Sequence, residues 1–292
     1  MTGVSLPRPP AIPSDRTDAS VQPQGQPSTG LTQASIPTGL FMTQDHRYFM
    51  NGKGPLPSVT SILRVLDKPA LTAWYKRQVA ESAVLGYDHW KDLAAEDAVK
   101  WLTSMPNAQR DRAAERGTEI HGLVDAAGRS PDGGSGLPVS QEYADTLSAF
   151  AGFLEACGGS QSIVSSEKAV LNLSEGYAGT FDLLMHKDNE LWLIDVKTGK
   201  GVYPDYALQL AGYGMAEHIA LPNDPTLYPF PEPQRYGVLH LRPERYSEAA
   251  STPEGRQYPD GYRLLEYSIT DRERLAFLAA LELWRWMQAH KQ

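Results

Sequence analysis

Two aspartates and a lysine, Asp182, Asp195 and Lys197, have the types and the spacing to do chemistry in this chain of 292 residues. They fall on two stretches that read as the strands of one hairpin, Gly179 to His186 and Leu191 to Lys197, joined through Lys187-Asp188-Asn189-Glu190. A two-residue turn at Asp188-Asn189 sets Lys187 opposite Glu190, and a four-residue turn sets His186 opposite Leu191; both give the same register. In that register Asp182 faces Asp195, with Cβ atoms about 4.5 to 5.5 Å apart, and Lys197 shares their face because strand side chains repeat every two residues. The other face carries Phe181, Leu183 and Met185 against Trp192, Ile194 and Val196, while Leu184 and Leu193 make the acidic face apolar toward the turn. Both faces therefore read as buried. Opposed carboxylates in such a place repel each other and resist desolvation, so the arrangement makes physical sense with a cation between them. Oxygen donors suit Mg²⁺ or Mn²⁺, and an ammonium alongside can orient a nucleophile and stabilise developing negative charge. The alternative is structural: Asp182 in solvent near a strand end, and Lys197 no more than the salt-bridge partner of Asp195.

The elements that must position this hairpin follow from composition and periodicity. Residues 1–38, crowded with Pro, Ser, Thr, Gln and Gly, read as a disordered tail. Residues 39–105 read as an N-terminal extension: a short strand at Arg47-Tyr48-Phe49-Met50, a turn at Asn51-Gly52, a helix capped by Ser58, and an amphipathic helix opened by Pro69 with Trp74, Val79 and Ala83 inward. A long helical region from Ala94 to Ala127, broken at Met105-Pro106, leads into a core spanning 106–292. It contains His121, one helical turn after Gly117, whose missing side chain would let the helix approach the sheet closely. Beyond the Gly/Ser/Pro-rich run Gly128 to Pro138 come a helix from Gln141 to Ala156, a strand from Ile163 to Leu173, and the hairpin. A helix from Asp205 to Ala220, a Pro-rich loop from Pro222 to Pro233, strands from Arg235 to Leu241 and Tyr262 to Ile269, and a terminal helix from Asp271 complete the chain. In that last helix Leu275, Leu278 and Leu281 recur at helical spacing. This order predicts one α/β core sheet.

Composition removes several classes of function. A single cysteine, Cys157, makes no internal disulfide and holds no iron-sulfur cluster or cysteine-rich zinc site, so any metal sits on oxygen or imidazole. No charged start precedes an apolar run, and nowhere do some eighteen apolar residues follow one another, which predicts a cytoplasmic protein without a membrane partner. The formal charge of -8 and a pI near 5.4 argue against a broadly basic surface coating nucleic acid. Metal-binding carboxylates add negative charge that bound cations cancel locally, and a groove needs only a few well-placed cations.

Taken in order, Glu167, Gly179-Thr180-Phe181-Asp182, Asp195-Val196-Lys197-Thr198-Gly199 and Gln209-Leu210-Ala211-Gly212-Tyr213, with His121 in an upstream Gly-x-x-x-His helix, resemble the core of the RecB-like exonucleases of the PD-(D/E)XK superfamily. The resemblance covers about residues 117 to 215, and Pro57-Ser58-Val59-Thr60 with Leu71-x-x-Trp74 is similar to phage-encoded members. CRISPR-associated relatives carry four cluster-binding cysteines that this chain lacks. The resemblance implies a restriction-endonuclease-like α/β core, a central mixed sheet flanked by helices, behind a mostly helical extension. It implies a metal-dependent deoxyribonuclease, an exonuclease of phage-type DNA recombination or processing, using one or two Mg²⁺ or Mn²⁺ ions. By that likeness Asp182, Asp195, His121 and the carbonyl of Val196 hold metal, and Lys197 assists at the phosphate. Gln209 and Tyr213 support the lysine and contact DNA. Glu167 stands behind the metal ligands, or faces DNA, or is a solvated edge residue; Arg116 and Lys200 are candidates for phosphate contact. DNA is the implied partner, with a single-strand annealing protein or a helicase as companion. Two other functions stay open: a non-catalytic nucleic-acid-binding scaffold on the same fold, and a site-specific endonuclease, for which no basic recognition helix is visible.

Overall fold

The computed structural model describes residues 39–43, 47–130, 134, 140–199, 201–222, 224–242, 258 and 260–291. The expected tail, 1–38, and Lys200 lie outside the described residues. Three short strands, β1 (Leu40–Met42), β2 (Tyr48–Met50) and β3 (Lys53–Leu56), form a small antiparallel sheet. Asn51 and Gly52, both at positive φ, make the expected turn. Ser58 then caps α1 (Val59–Ile62) with a reciprocal capping box to Ser61, and Pro69 opens α2 (Pro69–Leu85) at the position where its missing N–H costs nothing. After the single turn of α3 (Tyr87–Trp90), α4 runs from Ala95 to Arg129 as one helix. The break expected at Met105-Pro106 is absent. Pro106 removes one backbone donor but is buried inside the helix, and packing at Ile120, Val124 and Ala127 holds the rest. The boundary drawn between 105 and 106 therefore falls within a continuous helix.

α5 (Gln141–Ala156) precedes a seven-stranded mixed sheet ordered β10-β9-β6-β5-β4-β7-β8. Its strands are β4 (Ile163–Asn172), β5 (Tyr177–Lys187), β6 (Glu190–Lys197), β7 (His218–Ala220), β8 (Leu227–Pro229), β9 (Arg235–Leu241) and β10 (Tyr262–Tyr267). Only β6 and β9 pair in parallel; the connection between them carries α6 (Asp205–Gly214). α4 and α5 cover one face through Ile120, Val124, Phe150 and Phe153, packed on Leu183, Met185, Ile194 and Leu239. α1, α6 and the terminal helix α7 (Asp271–Ala289) cover the other through Val59, Ile62, Leu210, Phe277 and Leu281, packed on Leu184, Leu193 and Val238. Helices on both faces of a mixed sheet make the architecture α/β.

Three expectations are corrected. The helix from Asp205 stops at Gly214, where a Cβ would lie 2.6 Å from the ring of Tyr236, and the chain turns to lay β7 along β4. β8 forms inside the Pro-rich stretch expected as a loop and pairs with β7, which itself covers the edge of β4. In α7 the buried face is Phe277, Ala280 and Leu281, while Leu275 is exposed. No helix among the described residues is long and apolar enough to cross a membrane.

Candidate metal centre and lysine site

The β5–β6 hairpin has the register computed from sequence, from Lys187↔Glu190 through Leu183↔Ile194, closed by Asp188 and Asn189 at positive φ in a two-residue turn. The ladder ends one step before Asp182 and Asp195, and strict alternation fails there. Phe181 packs on Phe230 in the cluster under α6 and α7, yet both Asp182 and Leu183 turn toward α4: Asp182 to His121, Leu183 to the cluster of Ile120 and Val124. The neighbouring strand also breaks its alternation there, without a change of register. Ser166 donates to Asp125 and Glu167 meets His121, both on α4, and Glu167 takes φ 48°, a left-handed conformation uncommon for a residue of its kind. Two adjacent irregularities therefore turn two acids onto the helix that carries His121.

The result is a three-donor group. His121 Nδ1 lies 3.2 Å from Glu167 Oε1 and 3.3 Å from Asp182 Oδ1, and one donor atom from each of the three falls within 4.8 Å of the others. Asp182 Oδ2 accepts the Val196 N–H at 2.6 Å. The charge of Asp182 holds the His121 imidazole up at about 10, against the pull of burial. Asp182 goes the other way: burial would raise it, but His121 and Lys197 outweigh burial and hold it below its ordinary range. Burial raises the Glu167 carboxyl. One imidazole and two carboxylates, crowded around a point with three negative charges in reach counting Asp195, form a donor set that fits a divalent cation such as Mg²⁺ or Mn²⁺.

Asp195 stands beside this group rather than in it. It is 1 % exposed, and burial with the charge of Asp182 pushes it up to about 6 although Lys197 opposes that. Its Oδ1 accepts from Gln209 Nε2 at 2.9 Å. Its Oδ2 is 2.5 Å from Lys197 Nζ, a short charge-assisted contact. Lys197 shares the side of Asp195, as the period of two predicts. Its ammonium also lies 5.2 Å from the centre of the Tyr206 ring. Burial would lower the lysine, but Asp195 and Asp182 hold it protonated and raise it.

The remaining expected residues separate clearly. Gln209 serves Asp195 rather than Lys197, and also donates to the Tyr213 hydroxyl at 3.3 Å. Tyr213 is buried, 4 % exposed; its ring occupies the space over Gly179, where a Cβ would be 2.6 Å from it. Val196, expected as a carbonyl ligand, meets Asp182 through its N–H. Glu167, left open between three readings, joins the donor group. Arg116 is half-buried on α4, and Lys200 lies outside the described residues. The close approach expected at Gly117 is not made there, since a Cβ at that position would meet open space; it is made at Gly128, against Ile163. Sequence reasoning passed over Tyr206, although Tyr206, Gln209 and Tyr213 at i, i+3 and i+7 share one helix face. Neither protein-family models nor curated proteins gave a match to the chain.

Proposed function

We propose that this chain is a Mg²⁺- or Mn²⁺-dependent deoxyribonuclease of the RecB-like PD-(D/E)XK type. It acts in the cytoplasm as an exonuclease on DNA in phage-type recombination or processing, beside a single-strand annealing protein or a helicase. The observation that carries this reading is the convergence of His121, Glu167 and Asp182, from α4, β4 and β5, next to a buried acid–lysine pair on β6. A divalent cation held by these donors would neutralise phosphate charge and acidify a water for attack. Everything else falls to the chain. Glu167, Asp182 and His121 provide the donors, and Asp195, its Oδ2 against Lys197, is the third acid within electrostatic reach. Gln209 fixes the Asp195 carboxylate by its other oxygen. Lys197, one-fifth exposed, keeps an ammonium at the edge of the site, where it can orient a nucleophile and meet charge developing on a phosphate.

The test is to incubate the purified protein with linear and with covalently closed circular DNA, with and without Mg²⁺ or Mn²⁺. Asp195→Ala and Lys197→Ala variants are run in parallel. Linear DNA is expected to be degraded only with metal, circles are expected to be spared, and each variant is expected to lose at least about a hundredfold in rate. Undiminished cleavage by either variant overturns the assignment, and cut circles replace exonuclease by endonuclease. The net charge of -8 favours one second reading, a scaffold that does no chemistry; DNA binding without cleavage in any metal is its signature.

A further inference from the structure

One flank of the site is formed by residues just before α6. Tyr203 lies there, 44 % exposed. Its ring stands edge-to-face with Tyr206, centroids 5.8 Å apart and planes at 85°, and Tyr206 in turn carries the Lys197 ammonium. Gly201 lets the phenol lie close on the backbone: a Cβ at that position would be 3.3 Å from both Cζ and Oη of Tyr203. An aromatic ring is thus set in place two short contacts from the catalytic lysine and left open to solvent.

The charges around it say what kind of group belongs there. Tyr206 is within electrostatic reach of Asp195 and Asp205, which pair with Lys197 and, at 2.9 Å, with Lys68. A phosphate on the α6 side of this flank would meet Lys68, already engaged by Asp205. A flat neutral group meets no such opposition and gains the stacking energy of an exposed ring. Nucleobases inside a duplex have both faces covered by their neighbours and the last pair of a duplex end offers only its outer face, whereas an unpaired base offers both.

We propose that Tyr203 is a stacking position for an unpaired nucleobase beside the Asp195–Lys197 pair, so that the strand received by the site is single-stranded DNA, free or frayed from a duplex end. The identity of the ligand rests on the nuclease reading above. Tyr206 is then a positioning residue that holds both the Tyr203 ring and the ammonium.

Binding separates this inference from the nuclease reading. A fluorescent short oligothymidylate and an abasic sugar-phosphate chain of the same length are titrated, by anisotropy in EDTA, with the wild-type protein, Tyr203→Phe and Tyr203→Ala; metal-dependent cleavage by the wild type is assayed in parallel. Tyr203→Phe is expected to bind oligothymidylate as the wild type does, and Tyr203→Ala about tenfold more weakly. The abasic chain is expected to show no difference among the three. Equal binding of oligothymidylate by Tyr203→Ala and wild type overturns the inference, as does a loss that is the same for the abasic chain, or no binding by the wild type. Absence of cleavage with the stacking pattern intact overturns the nuclease reading and leaves the base-binding site standing.

Discussion

Asp195 and His121 show at the scale of single residues how burial and charge divide the site between them. Asp195 has one oxygen held by Gln209 and the other by the charge of Lys197, in a place with almost no access to water. Gln209→Ala removes the neutral donor and leaves a buried carboxylate oxygen unsatisfied, which costs about 1–3 kcal/mol. A lower urea midpoint is expected, with an unchanged slope; an unchanged midpoint means that the hydrogen bond contributes nothing. His121 gives a pH signature. Its proton is held to about pH 10 in the folded, metal-free protein, and the ordinary imidazole value of about 6.5 applies once Asp182 is lost on unfolding. A group raised in this way adds stability that is complete below about pH 6.5 and disappears as the pH rises through about 10. Thermal melting in EDTA should therefore show a decline over that window that His121→Asn lacks; parallel curves for the two proteins would contradict the His121–Asp182 pairing.

At the scale of elements, the hairpin was legible and its end was not. The period of two and the Asp188-Asn189 turn fix the register through Leu183↔Ile194. The same arithmetic carried one step further pairs Asp182 with Asp195, but the ladder has ended there and Asp182 turns to α4. No local sequence signal marks this, because the irregularity is shared between β5 and the left-handed Glu167 of β4, a tertiary effect. The need for glycine at 214 was missed for a similar reason: the ring of Tyr236 fills the space that a side chain would need, and that ring comes from a strand twenty-odd residues later. Glycines separate the two kinds of position. Gly179→Val drives a side chain into the buried Tyr213 ring and is expected to cost about 1–3 kcal/mol. Gly117→Ala adds a methyl group in open space on a helix and is expected to stabilise by about 0.4–1 kcal/mol. Chemical denaturation of both variants checks the pair, and a destabilised Gly117→Ala would place an unseen contact on that face of α4.

At the scale of the whole molecule, an acidic chain folds a mixed sheet between two helical layers and concentrates buried charge at one place where β4, β5 and β6 meet α4 and α6. The α/β class was readable from the order of elements, and Asp182, Asp195, Lys197 and His121 could be singled out as candidates by type and spacing, though not the places that the two acids take. The membership of Glu167 and the separate surroundings of Asp195 needed three dimensions. Without a cation, the three donors of this group are compatible only because His121 keeps a proton, so taking up metal must displace that proton. The central claim is that His121, Glu167 and Asp182 hold a divalent ion, and the most direct measurement is titration of the metal-free protein with Mn²⁺, followed by electron paramagnetic resonance. The wild type is expected to take up Mn²⁺ saturably, and Asp182→Asn and His121→Ala to bind it at least about tenfold more weakly. Mn²⁺ uptake that is the same in all three proteins would contradict the account.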